Sequence, residues 1–167
     1  SEGEGHPILV VSGSDSLGNT GQTTGTPLAT DFTAPQATQL SVSPQLATTG
    51  TTLTISLTVD EHLAANQLVT VGGKPAALTT HSDLTYTFSL RVDASEGEGV
   101  RPVVASFDDV AGNSGTRLAT VRLDFTAPTI TLTDTHPALA KSGDTVTATV
   151  ETSEELSSDL TLLVGGR

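Results

Sequence analysis

The chain has 167 residues, with 7 Lys and Arg set against 19 Asp and Glu, a formal net charge of −12 and a pI near 4.4. That length suits one domain or two small ones, and so negative a chain is repelled by phosphate backbones, which argues against nucleic acid as a partner. Without Cys there is no disulfide framework and no thiolate metal site, and no apolar run reaches the roughly 18–20 residues of a membrane span. Aromatics are only 3%, with no Trp, while Thr occurs 30 times.

In chain order, the first element is a fragment. Ser1-Glu2-Gly3-Glu4-Gly5 returns as Ser95–Gly99, and Gly18-Asn19 returns as Gly112-Asn113, both 94 residues later. Asp31-Phe32-Thr33-Ala34-Pro35 returns 93 residues later as Asp124–Pro128, and residues 31–74 match 124–167 at 17 of 44 positions without a gap. A period this long is one small domain per repeat. Residues 1–32 are therefore read as the C-terminal part of a preceding repeat, 33–125 as a complete repeat, and 126–167 as the N-terminal part of a following one. Both ends fall inside a repeat, and the expectation is a piece of a longer array.

Within 33–125 the apolar period is two. Leu53, Ile55, Leu57 and Val59 alternate with Thr and Ser, as do Leu84, Tyr86, Phe88, Leu90 and Val92. This is the half-buried strand pattern, with Thr suited to the solvated face. Strands are expected at 38–42, 52–60, 67–72, 75–79, 84–92, 102–107 and 117–124. Turn chemistry separates them at Thr49-Gly50, Gly72-Gly73, Ser95–Gly99 and Gly112-Asn113. No helical stripe appears. Seven short strands in about 90 residues predict an all-β fold of immunoglobulin-like β-sandwich repeats in tandem, with Tyr86, Phe88 and Phe107 in the core. Phe32 and Phe125 are expected to plug the sandwich ends beside the linkers.

The run Gly50–Glu61, then Val69–Gly73, then Asp109-Val110-Ala111-Gly112-Asn113 resembles the bacterial Ig-like repeats of large surface proteins. Gly143-Asp144-Thr145-Val146 with Ser153-Glu154-Glu155-Leu156 resembles them too. The resemblance implies an extracellular or bacterial cell-surface location, tandem arrays, adhesion or a fibrous stalk, and Ca2+ at domain junctions. The first copy departs from the pattern, with Ser16-Leu17 where Val110-Ala111 stands and Ser14 where Asp108 stands.

In a sandwich of this kind, the loops after the second and sixth strands share a pole with the chain entry. That pole collects Asp31, Asp60, Glu61, Asp108, Asp109 and Asn113, with Glu2 and Glu4 of the preceding copy facing it. The second junction would gather Asp93, Glu96, Glu98 and Asp124, facing Glu154 and Glu155. Clustered carboxylates repel unless compensated, and Ca2+ takes six to eight hard oxygens in flexible geometry. The same acids also serve simply as solvated loop residues that keep the chain soluble. No EF-hand spacing chooses between these readings.

The remaining motifs point away from catalysis. There is no G-x-S-x-G elbow, no Cys and no phosphate loop before a helix. The paired Asp108-Asp109 lack a sugar platform, and His6, His62, His81 and His136 share no metal spacing. The expectation is a non-enzymatic spacer whose partners are the neighbouring repeats. The alternative is that the repeats themselves bind a cell-surface glycan or protein, although the Arg residues are scattered and Tyr86 reads as core.

Overall fold

The computed structural model describes residues 4–163, so Glu2 lies outside the described residues. The chain divides into two compact units, Ser1–Phe125 and Thr126–Arg167. The first begins with an antiparallel hairpin of β1 (Ile8–Ser14) and β2 (Thr20–Pro27). Then come β3 (Ala37–Ser43), β4 (Leu46–Ala47), β5 (Thr52–Val59), β6 (Leu68–Val71), β7 (Lys74–Pro75), β8 (Ala77–Ser82), β9 (Thr85–Arg91), β10 (Gly99–Asp108) and β11 (Ser114–Leu123). They form two sheets, ordered β3-β5-β9-β8 and β4-β11-β10-β6-β7. Neighbours are antiparallel except β4 and β11, which run parallel.

Alternation along the strands makes the core. On β5, Leu53, Ile55, Leu57 and Val59 are buried while Thr52 and Thr54 face water. The register sets Leu53 opposite Leu90, Ile55 opposite Phe88 and Leu57 opposite Tyr86. From the second sheet Val69, Val71, Val103, Ala105, Phe107, Val121 and Leu123 complete one cluster, so the sheets form a β-sandwich. Each fully buried large apolar side chain contributes about 1.5–3 kcal/mol. The Tyr86 hydroxyl accepts from the Leu63 amide at 3.3 Å, so its polar end is not orphaned.

Two differences from the predicted strands have a common cause. The strand expected at 75–79 is split. Lys74–Pro75 pairs with β6 in one sheet and Ala77–Ser82 pairs with β9 in the other. Pro75 has no amide hydrogen and sits on an edge strand, where that is tolerated. Likewise β3 stops before Pro44, and the chain crosses to lay Leu46–Ala47 against β11. The Ser95–Gly99 run, expected as a turn, opens with a single 3-10 turn at Ala94–Glu96. Phe125 packs on the core, whereas Phe32 is 58% exposed and plugs nothing.

The second unit holds a hairpin of β12 (Ile130–His136) and β13 (Thr147–Thr152). Its pairing repeats that of β3 with β5, 93 residues on: Ser41 faces Ser56 as Asp134 faces Thr149. Each ladder carries a bulge, but two positions apart in the repeat. At Thr38 the hydroxyl donates to the Thr58 carbonyl at 3.1 Å; at Thr133, which stands where Leu40 does in the other copy, it donates to the Thr149 carbonyl at 3.1 Å. β1 and β2 reproduce β10 and β11 in the same way, with Ser14 opposite Thr20 and Asp108 opposite Ser114.

Candidate metal centre

β5 and β10 lie in different sheets but end at the same pole. There Leu63 bridges to Asp109, and the Ala64 amide donates to the Asp108 carbonyl at 2.7 Å. The linker enters at this pole through Asp31. Three carboxylates from three loops therefore meet: Asp31, Glu61 and Asp109 each offer an oxygen within 4.8 Å of the others. Asp31 is exposed, Glu61 half-buried and Asp109 buried.

Each acid at the pole has a distinct environment. The Asp109 carboxylate caps its own loop, accepting from the amides of Gly112 at 2.6 Å and Asn113 at 2.9 Å and from the Asn113 side chain at 2.8 Å. Burial pushes its carboxyl up, but the Asn113 side chain and the loop amides outweigh this and hold it below the ordinary value. Glu61 goes the other way. Burial first, and then the charges of Asp31, Asp109, Asp60 and Glu4, push its carboxyl above the ordinary value.

The remaining acids there are taken up by hydrogen bonds. Asp108 turns aside: the Ser114 side chain first, and then Asn66, which donates at 2.6 Å, hold its carboxyl below the ordinary value. Asp60 accepts from the Gln36 amide at 2.8 Å. Glu4 accepts from the Phe32 amide at 3.3 Å and from the Thr33 hydroxyl.

The donor set fits a hard divalent cation. Ca2+ bonds oxygen at about 2.3–2.6 Å, so its ligand oxygens lie no more than about 5 Å apart. The three carboxylates meet that limit. Mg2+, at about 2.0–2.1 Å, demands a tighter set. Asn113 has another task, because its side-chain amide donates both to Asp109 and to the Asp31 carbonyl at 3.2 Å. The first copy builds the same turn although its sequence departs there: Asp15 accepts from the amides of Leu17 and Asn19 at 2.9 Å and from the Asn19 side chain at 2.8 Å. Both turns keep Gly before the Asn, at φ 87° for Gly18 and 96° for Gly112, so only the two residues after the Asp are free to change.

Within the first unit, the members of the other predicted grouping, Asp93, Glu96, Glu98 and Asp124, form no cluster of three metal-ligating side chains among the described residues. Glu96, placed by its loop at the second junction, is turned into the sandwich instead. Its side chain is fully buried, accepts from the Asp93 amide at 2.9 Å and lies 3.0 Å from the Lys74 ammonium. Lys74 also pairs with Asp93, which caps the Ser95 amide at 2.8 Å. The physical reason is the 3-10 turn, whose capping box needs the Glu side chain folded back on Asp93. Glu98 is exposed, and Asp124 is tied through its amide to the Ala47 carbonyl at 3.0 Å. Glu154, in the second unit, is half-buried like Glu61, the residue 93 positions before it. Lys74 was not singled out from the sequence. Its trace is Gly72-Gly73-Lys74 returning as Gly165-Gly166-Arg167, a cation beside each Gly pair.

No family model matches the chain, and no curated protein matches it. Among solved structures it is similar to one described as "Ca2+-stabilized adhesin helps an Antarctic bacterium reach out and bind ice", with 23% identity and a TM-score of 0.41. The match covers 78% of this chain but only 35% of that one. At that TM-score nothing about this chain's fold or function follows from it.

Proposed function

We propose that the chain is a non-enzymatic stretch of Ig-like repeats from a bacterial surface or secreted protein, acting as a spacer or stalk in an adhesin-like array. Ca2+ held by Asp31, Glu61 and Asp109 would stiffen its joints. The Ig-like part of this reading is supported by the strand order of the two sheets, with the short β4, which follows the first sandwich strand β3, paired in parallel with the last strand β11. The single observation that carries the calcium part is the meeting of three carboxylates, one from the linker and two from loops of opposite sheets, at the pole where one repeat hands over to the next. An ion there neutralises mutual repulsion and ties the linker to the sandwich. No helix among the described residues is long and apolar enough to cross a membrane.

Calorimetric titration of CaCl2 into the metal-stripped chain, with melting in EDTA and in CaCl2, tests the reading. Saturable heat and a raised melting temperature are expected. No heat and no shift would leave the pole acids as solvated loop residues.

A further inference from the structure

The linker that joins the first fragment to the sandwich is held from both sides by groups other than the three clustered carboxylates. From the preceding repeat, the Glu4 carboxylate accepts from the Phe32 amide and from the Thr33 hydroxyl. Glu4 itself is fixed in place because the next residue, Gly5, exchanges two hydrogen bonds with Thr30, at 3.1 and 2.9 Å. From the following domain, the Asn113 side chain donates to the Asp31 carbonyl at 3.2 Å. The Gln36 amide donates to the Asp60 carboxylate at 2.8 Å, and the Asp60 amide returns a bond to the Gln36 carbonyl at 3.1 Å.

Between these anchors Pro35 fixes its own φ. Its carbonyl presses so close on Gly115 that a Cβ there would stand 2.3 Å away. Bonds to a carboxylate acceptor are the stronger kind, and several acting on six consecutive residues leave little freedom. Acids that read as excess negative charge in the sequence are here acceptors with donors already in place.

We propose that this linker is a metal-independent latch: Glu4 and Thr33 fasten it to the repeat behind, Asn113 and Asp60 to the domain ahead, and the joint takes its geometry before any ion binds. Glu98, Asp124, Phe125 and Thr126 stand at the corresponding positions one repeat on, with Ser153 where Asp60 stands. The latch is distinct from the calcium site in that its cross-links run through the Asp31 carbonyl, Glu4, Thr33 and Asp60, all outside the triad's carboxylates; the Asp31 carboxylate adds only a local bond, accepting from the Thr33 amide at 3.1 Å.

The test is 15N relaxation on the full chain in EDTA, reading the amides of Phe32, Thr33, Ala34 and Gln36. In the parent their order parameters should match those of the strands, about 0.85. In Thr33→Val and, separately, Glu4→Ala they should fall to below about 0.6. Both positions are exposed, so the sandwich should melt as in the parent and report that folding is intact. Parent amides already mobile in EDTA overturn the proposal, as do variants as rigid as the parent. If mobile parent amides then stiffen on adding CaCl2, the latch fails while the calcium reading stands. If the parent is rigid in EDTA, the variants loosen and CaCl2 moves no resonance at the pole, the latch stands and the calcium reading fails.

Discussion

Replacing Glu61 with Gln separates the two consequences of crowding carboxylates at one pole. The amide keeps the side chain's shape and removes one charge of three. Charges within 4.8 Å of one another repel by about 0.9 kcal/mol per pair in bulk water, and by more as the effective dielectric falls. Glu61 faces two such neighbours, but the site opens to solvent and salt trims the sum. E61Q should therefore gain about 1 kcal/mol in EDTA, which for a domain of this size is roughly 4–8 °C in Tm. Calcium works the other way. Losing one charged oxygen weakens binding by about tenfold, or 1.4 kcal/mol. At a calcium concentration 100 times the parent's Kd, the parent gains about 2.7 kcal/mol and E61Q only about 1.4 kcal/mol. The variant should lead in EDTA and lose that lead in calcium. Thermal melts of both proteins under both conditions decide it. An E61Q that is destabilised in EDTA, or that gains as much from calcium as the parent, refutes the reasoning.

Other expectations follow from the same contacts. Because the Glu61 carboxyl titrates above 4.5 when folded, the folded state binds more protons just above that pH. Metal-free stability should thus fall as pH rises through that window, and urea midpoints across it should show a slope that E61Q lacks. Asp93 behaves oppositely. The hydrogen bond from Lys74, with those from Ser95, holds its carboxyl well below the ordinary 3.8, so its stabilisation is present above that value and lost as pH falls through the folded one. Lys74→Met should lower the urea midpoint near neutrality, by leaving the buried Glu96 without its cation, and should lose less than the parent on acidification. Gly115→Ala would set a Cβ 2.3 Å from the Pro35 carbonyl and 2.5 Å from the Phe107 ring. Overpacking of that kind costs about 1–3 kcal/mol, read as a lower urea midpoint with an unchanged slope; an unchanged midpoint would show that the linker at Pro35 yields freely.

What the chain reveals on its own is what depends on short-range pattern. Alternation along 52–59 and 85–91 separates inward Leu, Ile, Tyr and Phe from outward Thr and Ser, because side chains on a strand repeat every two residues. The 93-residue offset carries register at both ends of the hairpin, Ala37 with Val59 as Ile130 with Thr152 and Ser41 with Ser56 as Asp134 with Thr149, while the place of the bulge between them differs. Which acids meet is a different matter. Asp31, Glu61 and Asp109 are 30 and 48 residues apart, and only the closing of two sheets over one core brings their loops to a common pole. Local sequence marks Asp109, four residues before Asn113 as Asp15 is before Asn19, but nothing local tells that Asp108 turns to Asn66, 42 residues away. Glu96 looks like any loop acid until Lys74, 22 residues earlier, is laid beside it. Strand identity is a property of neighbours along the chain, whereas the partner of a charge is chosen by the packing of distant loops.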